Sequence, residues 1–339
     1  MSKNEIDWDK HYPKHCVRYY GWLPASKTLK ELIKKKSIKF FTLCGKQALD
    51  IFMLELEGII LRDQKRNLPN VIICEKDEGA AAEILTLVRP PLKEAMLIGK
   101  LEEILTFQDT EETSGLSPDE DVKDRKKRKI SRTKALSKRA KEYFPFDIIN
   151  FDTYKNLLYP HKNNKLKQTL NIIFELQKKT NTFLLFITTP IYHIHPDTES
   201  CIRNDFESNV STYSDIRSAL QSSFDTTVYD EIAEIKRIAL GFAKSVVISV
   251  AKKDWNHKHR GIFVYDSYNN KKMLNSVVQF YKKDISPDES SYIKDIIQII
   301  EQMPKYYSWK KSRENQEVID HLDKVKKYRE NIRNEYRET

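Results

Sequence analysis

The sequence predicts a three-layer α/β domain with a mainly parallel sheet. Short apolar runs alternate along the chain with segments of helical periodicity. The run at 183–188 is almost entirely apolar, as expected for a strand that is covered on both faces. Two further runs, at 245–250 and 261–265, are close enough to form a hairpin. We therefore expect seven strands, five in strand-helix units and two in a closing antiparallel hairpin, followed by C-terminal helices.

Each of the first four units joins one apolar run to one helical segment. The pairs are 38–43 with 48–56, 71–74 with 80–88, 95–98 with 101–107, and 146–151 with 166–178. The fifth strand, 183–188, precedes a helical stretch at about 224–242. After the hairpin, helical periodicity is expected at 273–281, 292–303 and 315–336.

Three segments follow from this pattern. Residues 1–35 form an N-terminal aromatic and basic segment, and 36–270 form the α/β domain with a charged insertion at 108–142. Residues 271–339 form a helical C-terminal extension. The aromatic residues of the N-terminal segment have two interpretations, either stacking on unpaired bases or packing over the edge of the sheet, and we favour packing.

The net charge of +10 comes from one short stretch of the insertion. Residues 123–141 carry 11 Lys or Arg and one acid, and the remaining chain carries 48 basic and 48 acidic side chains. Such a run of basic residues has three interpretations: a solvated surface loop, an arm that binds phosphates, or a docking site for an acidic partner protein. Residues 131–142 are good helix formers. Because the insertion precedes the fourth strand, we expect it at the edge where that strand begins.

Composition excludes several classes of protein. The longest apolar stretches are too short to cross a bilayer, and the N-terminus lacks the apolar region of a secretory signal, so we expect a cytoplasmic protein without membrane association. The four cysteines form no C-x-x-C pair, and His193 and His195 lack a third ligand, so no metal site is expected. His257 and His259 are expected to face solvent in a turn.

The order of elements, with Gly45 after the first strand and Glu75 after the second, resembles the class I S-adenosylmethionine-dependent methyltransferase family. The resemblance covers about 36–270 and implies a Rossmann-like fold. It implies that Cys44 and Gly45 approach the methionine part of the cofactor, and that Glu75, followed by Lys76, binds the ribose hydroxyls. Only one glycine stands in the first turn. The alternative interpretation without a cofactor is that Gly45 is a simple turn glycine and that Glu75 is a charged residue at the end of a strand.

Residues at the ends of the third and fourth strands match the remaining motifs of this family. Gly99 occupies the place of a small residue near the adenine, whereas Glu102 is more simply an acid in the first turn of a helix. The stretch from Asp147 to Tyr154 resembles the catalytic motif of tRNA guanosine dimethyltransferases. It implies that Asp152 accepts a hydrogen bond or a proton from the base and that Tyr154 stacks on it. An aspartate that enters a turn is also ordinary loop chemistry.

These residues lead to two function hypotheses. The first is an S-adenosylmethionine-dependent methyltransferase that acts on nucleic acid, with phosphate contacts from a basic group in the insertion. That group consists of Arg125, Lys126, Lys127, Arg128, Lys129 and Arg132. The second is an inactive relative that serves as a binding or scaffold subunit, contacting a partner through the insertion or the C-terminal helix. The N-terminal segment is similar to that of methyltransferase-like proteins in bacterial antiviral defence.

Overall fold

The computed structural model describes residues 10–45, 47–88, 95–107, 120–153, 157, 165–191, 200, 241, 255–268, 271–282 and 305–335, with the backbone alone for 120–129. The strands of these residues form one mixed sheet of eight strands. The strands are β1 Phe40–Thr42, β2 Val71–Glu75, β3 Met96–Ile98, β4 Ile148–Asp152, β5 Thr182–Pro190, β6 Trp255–Asp266, β7 Lys272–Lys282 and β8 Lys305–Tyr307.

The helices cover both faces of the sheet. They are α1 Tyr12–Val17, α2 Leu23–Ile33, α3 Leu49–Leu56, α4 Glu78–Val88, α5 Leu101–Leu105, α6 Glu120–Tyr143, α7 Lys165–Leu176, α8 Trp309–Arg313 and α9 Gln316–Glu335, with a π-helix at Arg18–Trp22 and a 3-10 turn at Gln177–Lys179. The expected α/β class with a mainly parallel sheet is confirmed, as are the first five strands and the helices at 131–142 and 315–336.

The strand order across the sheet is β3-β2-β1-β4-β5-β7-β6-β8. The first five strands pair in parallel, and β7 lies antiparallel between β5 and β6. The chain builds outward from β1 to β3 and then crosses back to β4 on the other side of β1. The order therefore reverses between β1 and β4, and the carboxyl ends of both strands face the same edge.

The sheet has eight strands, not the expected seven, because β8 pairs in parallel with β6 at the edge. Its three residues, Lys-Tyr-Tyr, are too few to show a strand period in the sequence. The expected pairing of 261–265 with 245–250 is wrong, because 261–265 pair antiparallel with 273–277 in the hairpin of β6 and β7. The expected strand at 245–250 and the expected helices at 224–242 and 292–303 lie outside the described residues, except for Gly241, which is helical.

The helix expected at 273–281 is wrong, because this segment is the strand β7. Eight consecutive residues of β7 are buried, since it lies between β5 and β6 with both faces covered. A strand that is buried on both faces loses its alternation of polar and apolar residues and can present helix-like spacing. Residues 272–282 therefore belong to the sheet rather than to a helical extension.

Alternating side chains of the strands enter two separate cores. Phe41 belongs to the core that contains α5 and α7, and Phe40 belongs to the core on the opposite face, which contains α2, α3 and α9. This alternation follows from the two-residue period of a strand. The helices on both faces give the three layers that the sequence predicts.

The N-terminal segment packs onto the sheet. Trp22 stacks on Phe186 of β5 with ring centroids 4.7 Å apart, and its Nε1 donates to Oδ1 of Asn275 in β7 at 3.1 Å. A Cβ at Gly21 would lie 2.4 Å from Cε2 of Phe263 in β6, so the π-helix approaches the sheet where only glycine fits. Packing, rather than base stacking, is therefore the role of Trp22.

Candidate functional site

A cavity of about 390 Å³ opens at the carboxyl ends of β1, β2, β3 and β4. It lies where the strand order reverses, which is the usual place for ligands in open α/β sheets. Its volume falls within the range of small-molecule sites. Seven residues that the sequence points to line the cavity, namely Cys44, Gly45, Glu75, Lys76, Gly99, Glu102 and Asp152.

The turn after β1 forms one wall of the cavity. The carbonyl oxygen of Gly45 accepts from the backbone N–H of Ala48 at 2.8 Å. A Cβ at Gly45 would meet no atom within 4 Å, so the backbone here faces open space. Ala48 has φ of 48°, a left-handed conformation that turns the chain abruptly into α3. The turn thus exposes backbone to the cavity with a single glycine.

Cys44 lies beside this turn and is buried. Burial, followed by the carboxylates of Asp50 and Glu75, raises the pKa of its thiol well above the usual value. The thiol therefore stays protonated at neutral pH and is not an activated nucleophile. This side chain contributes packing to the cavity wall.

The next wall is formed by the ends of β2 and β3. Glu75 is the last residue of β2, and its Oε1 accepts from the backbone N–H of Asp77 at 3.0 Å. The backbone N–H of Gly99 donates to the carbonyl oxygen of Glu75 at 2.9 Å, which ties the end of β3 to that of β2. Glu102, in the first turn of α5, also lines the cavity. Glu75 is half-buried and lines the cavity, and the hydrogen bond to Asp77 uses one of its two carboxylate oxygens.

Asp152 ends β4 and faces the same cavity, but its carboxylate already has a partner. Oδ2 of Asp152 forms an ion pair with Nζ of Lys14 in α1, and the two side chains are 14% and 16% exposed. A hydrogen bond between a largely buried carboxylate and ammonium is stronger than a neutral one. A ligand that uses Oδ2 of Asp152 therefore has to displace Lys14. Tyr154 lies outside the described residues.

The basic side chains of α1 were not among the predicted site residues. His11, Lys14 and Arg18 all line the cavity. Lys14 and Arg18 are four residues apart, the spacing that puts two side chains on one helix face. Burial, followed by the charges of Lys14 and Arg18, lowers the pKa of His11 to about 3, so this imidazole is neutral. The helical spacing of the two basic residues was the available signal in the sequence.

Arg18 is only 8% exposed, and its Nε has no hydrogen-bond partner. Its guanidinium lies over the ring of Trp22 at 5.8 Å from the centroid. Within the described part of the chain, no carboxylate forms an ion pair with it. A buried positive charge without a negative partner is unfavourable, so Arg18 is conspicuous in the cavity wall.

The basic insertion runs along the sheet toward this cavity. Nη2 of Arg139 donates to the carbonyl oxygen of Met96, at the start of β3. Leu136 lies near Gly99 at the end of β3, and Nη1 of Arg132 pairs with Glu78 at 2.9 Å, just beyond the end of β2. Helix α6 therefore crosses from the carboxyl edge of the sheet to the amino edge. The insertion, expected at the edge where β4 begins unless it folds around the sheet, therefore reaches the carboxyl edge as well.

Helix α6 reaches both edges of the sheet because of its length. At 1.5 Å per residue, the 24 residues of α6 span about 36 Å, more than the depth of a five-residue strand. The backbone of 125–129 lies three to seven residues before Arg132, or about 5–10 Å further along the axis, at the carboxyl edge. The C-terminal half of α6 packs on the core through Leu136 and Ala140.

Among the residues that the structure describes, no group of three or more His, Cys, Asp or Glu is arranged to hold a metal ion. His193 and His195 lie outside them. The expectation that His259 faces solvent is wrong, since it is 3% exposed within β6 and burial lowers its pKa to about 3. No described helix is both long and apolar enough to span a membrane.

A family model described as PP_RS20740-like matches residues 8–252, which is more than two thirds of the chain. The chain belongs to the PP_RS20740-like family. The matched segment contains α1, the strands β1 to β5 and every residue that lines the cavity. No curated protein and no solved structure matches the chain. The cavity is thus built entirely from the part that this PP_RS20740-like chain shares with its family.

Proposed function

We propose that this chain binds S-adenosylmethionine in the cavity and acts as a methyltransferase on nucleic acid. The observation that carries the proposal is the convergence of the Gly45 turn, Glu75, Gly99 and Asp152 on one cavity at the reversal point of the sheet. Crevices of this kind bind nucleotide-containing ligands in Rossmann-like folds. The strand order and the antiparallel β7 support a Rossmann-like fold.

The residues present fit an adenosine group. The carboxylate of Glu75 accepts hydrogen bonds from a ribose diol, and the bare backbone at Gly45 allows close approach of a ligand. When bound, the cofactor supplies an electrophilic methyl group. Asp152 orients the acceptor base by accepting a hydrogen bond from its amine, once the ammonium of Lys14 has moved away.

Isothermal titration with S-adenosylmethionine tests the cofactor. We expect Glu75→Ala to weaken binding by about 10- to 100-fold, since hydrogen bonds to a charged group contribute about 1.5–3 kcal/mol. Glu83→Ala is the matched control, because Glu83 is an exposed acid of α4 outside the cavity and should bind like wild type. The absence of heat with wild-type protein at millimolar cofactor would refute the cofactor assignment.

The basic end of α6 supports nucleic acid as the substrate. Residues 125–129 are all Lys or Arg, and their backbone lies toward the carboxyl edge of the sheet, the edge that bears the cavity. Deleting the segment would remove the packed half of the helix, so charge removal is the better test. The test variant replaces Arg125, Lys126, Lys127, Arg128 and Lys129 with Gln.

The control variant removes the same charge elsewhere, by replacing Lys310, Lys311, Arg313, Lys324 and Lys327 with Gln, all exposed on α8 and α9. Fluorescence anisotropy with duplex DNA at several salt concentrations gives the salt slope. We expect the test variant to reduce the slope by up to about 4–5, since each phosphate contact contributes about 0.9. Equal slopes in wild type and the test variant would exclude this helix as the contact.

A second candidate function is a binding or scaffold subunit without methyl transfer. The observation that favours it is the ion pair between Lys14 and Asp152, which occupies the carboxylate that the reaction requires. A methyl-transfer assay distinguishes the two functions. A methyltransferase incorporates labelled methyl groups into nucleic acid and loses this activity in Asp152→Asn, whereas a scaffold subunit incorporates none.

A further inference from the structure

We infer that Arg18 and Lys14 form an oxyanion subsite in the cavity, which binds a phosphate or carboxylate group of a small ligand. Both side chains come from one face of the N-terminal helical segment and line the cavity beside Asp152. A ligand that carries a negatively charged group should therefore bind in the cavity more tightly than one without it. This preference does not depend on methyl transfer.

The positive charge of Arg18 is not balanced by a described carboxylate. Arg18 is only 8% exposed, yet no described carboxylate pairs with its guanidinium, and Nε donates no hydrogen bond. A guanidinium in this state costs free energy unless an anion compensates it. Because Arg18 lines the cavity, an anionic group of a ligand has room to bind beside it.

The neighbouring charges also favour an anion beside Arg18. Lys14 precedes Arg18 by one helical turn, and its ammonium has a single described carboxylate partner, Asp152. Glu75 and Glu102 line the same cavity, but neither forms a described ion pair with Lys14 or Arg18. His11, on the same wall, has a pKa of about 3 and is neutral, so it adds no further positive charge.

The backbone that carries Arg18 also supports a binding role. Arg18 begins the π-helix Arg18–Trp22, a rare conformation that is frequent at functional sites. The close approach of Gly21 to Phe263 fixes this segment against the sheet. The guanidinium is thus held on a rigid support, as a preorganised anion site requires.

The anionic group has two possible sources, the phosphate of a nucleotide or the carboxylate of the cofactor. Two ligand pairs separate them, because the members of each pair differ in the anionic part. Adenosine monophosphate is compared with adenosine, and S-adenosylhomocysteine, the demethylated form of the cofactor, with 5′-methylthioadenosine, a thioether that lacks the amino-acid part. Isothermal titration of each ligand gives the ratio of the two dissociation constants within a pair.

We expect the charged member of at least one pair to bind wild-type protein about 10- to 100-fold more tightly than the neutral member. Arg18→Gln should bring this ratio close to one. Arg18→Lys should leave an intermediate ratio, since lysine keeps the charge but not the forked geometry. Arg66→Gln, which removes the same charge from an exposed ion pair with Glu335, should keep the wild-type ratio.

A ratio of one for both pairs in wild type, or a ratio that survives Arg18→Gln, overturns the subsite. A measurement without any variant covers the case in which Arg18→Gln does not fold. Inorganic phosphate should weaken binding of the charged member and leave the neutral member unaffected, and equal effects on both would also overturn it. A preference for adenosine monophosphate without any binding of S-adenosylmethionine would support the subsite while refuting the proposed cofactor.

Discussion

Arg329 of the last helix and Gln47 of the cavity turn are joined by a hydrogen bond, with Nη1 of Arg329 donating to Oε1 of Gln47 at 2.9 Å. The two residues are 282 positions apart in the chain. Arg329 is 7% exposed, so the bond is shielded from water. Helix α9 thereby supports the turn that carries Gly45, although α9 does not itself line the cavity.

Removing this support should destabilise the protein. We expect Arg329→Ala to lower the free energy of unfolding by about 1.5–3 kcal/mol, because a buried hydrogen bond to a charged group is lost. Urea denaturation monitored by circular dichroism measures the change. Arg333→Ala, one turn later in an exposed pair with Glu330, should cost less than about 0.5 kcal/mol. Equal losses in the two variants would show that the bond to Gln47 has no special role.

Replacement by alanine should destabilise the protein at Gly21 but not at Gly45. Gly21→Ala should lower stability by about 1–3 kcal/mol, because the new Cβ would lie 2.4 Å from the ring of Phe263. Gly45→Ala should leave stability nearly unchanged, since nothing lies within 4 Å of its Cβ. Thermal denaturation of both variants tests the contrast. A loss in Gly45→Ala as large as in Gly21→Ala would contradict it.

The ion pair between Lys14 and Asp152 should show coupling in a double-mutant cycle. We expect Lys14→Met and Asp152→Asn to couple by about 1–3 kcal/mol, since both side chains are largely buried. The exposed pair of Lys27 and Glu57, at 2.7 Å, serves as the comparison and should couple by less than about 1 kcal/mol. Coupling near zero between Lys14 and Asp152 would mean that the carboxylate is effectively free for a substrate.

Stability should fall when the pH drops below about 6.5. Burial lowers the pKa values of His11 and His259 to about 3, and it also lowers those of His15 and His321. The unfolded chain binds protons near pH 6.5, whereas the folded chain does not, so stability that is present above this pH is lost below it. His11 and His259, whose folded pKa values are about 3, should each contribute about 1.5 kcal/mol of loss between pH 6.5 and 5.

The pH dependence can be traced to one residue. His259 is fully enclosed in β6, and burial is the main cause of its lowered pKa. His259→Gln should therefore reduce the loss of unfolding free energy between pH 6.5 and 5 by the share of one histidine. Denaturation curves of wild type and variant at both pH values provide the test. An identical loss in the two proteins would contradict the assignment.

The local pattern of the sequence was sufficient for the first five strands and for the helices that follow the first four. Strands such as β2 and β5 are short apolar runs because helices cover both of their faces, and this composition is visible without tertiary information. The same reasoning failed at β7, whose buried residues have helix-like spacing, and at β8, which is too short to show a period. Neighbouring strands, rather than local preference, decided those two segments.

For the cavity, the sequence alone determined that Gly45, Glu75, Gly99 and Asp152 follow successive strands, and parallel pairing brings such positions to one edge. Only the tertiary structure decided that Lys14 reaches Asp152 across 138 residues, that Arg18 lies buried in the same wall, and that α6 extends to this edge. The physical reason is that strand ends are placed by local periodicity, whereas contacts between distant segments depend on how the helices pack over the sheet.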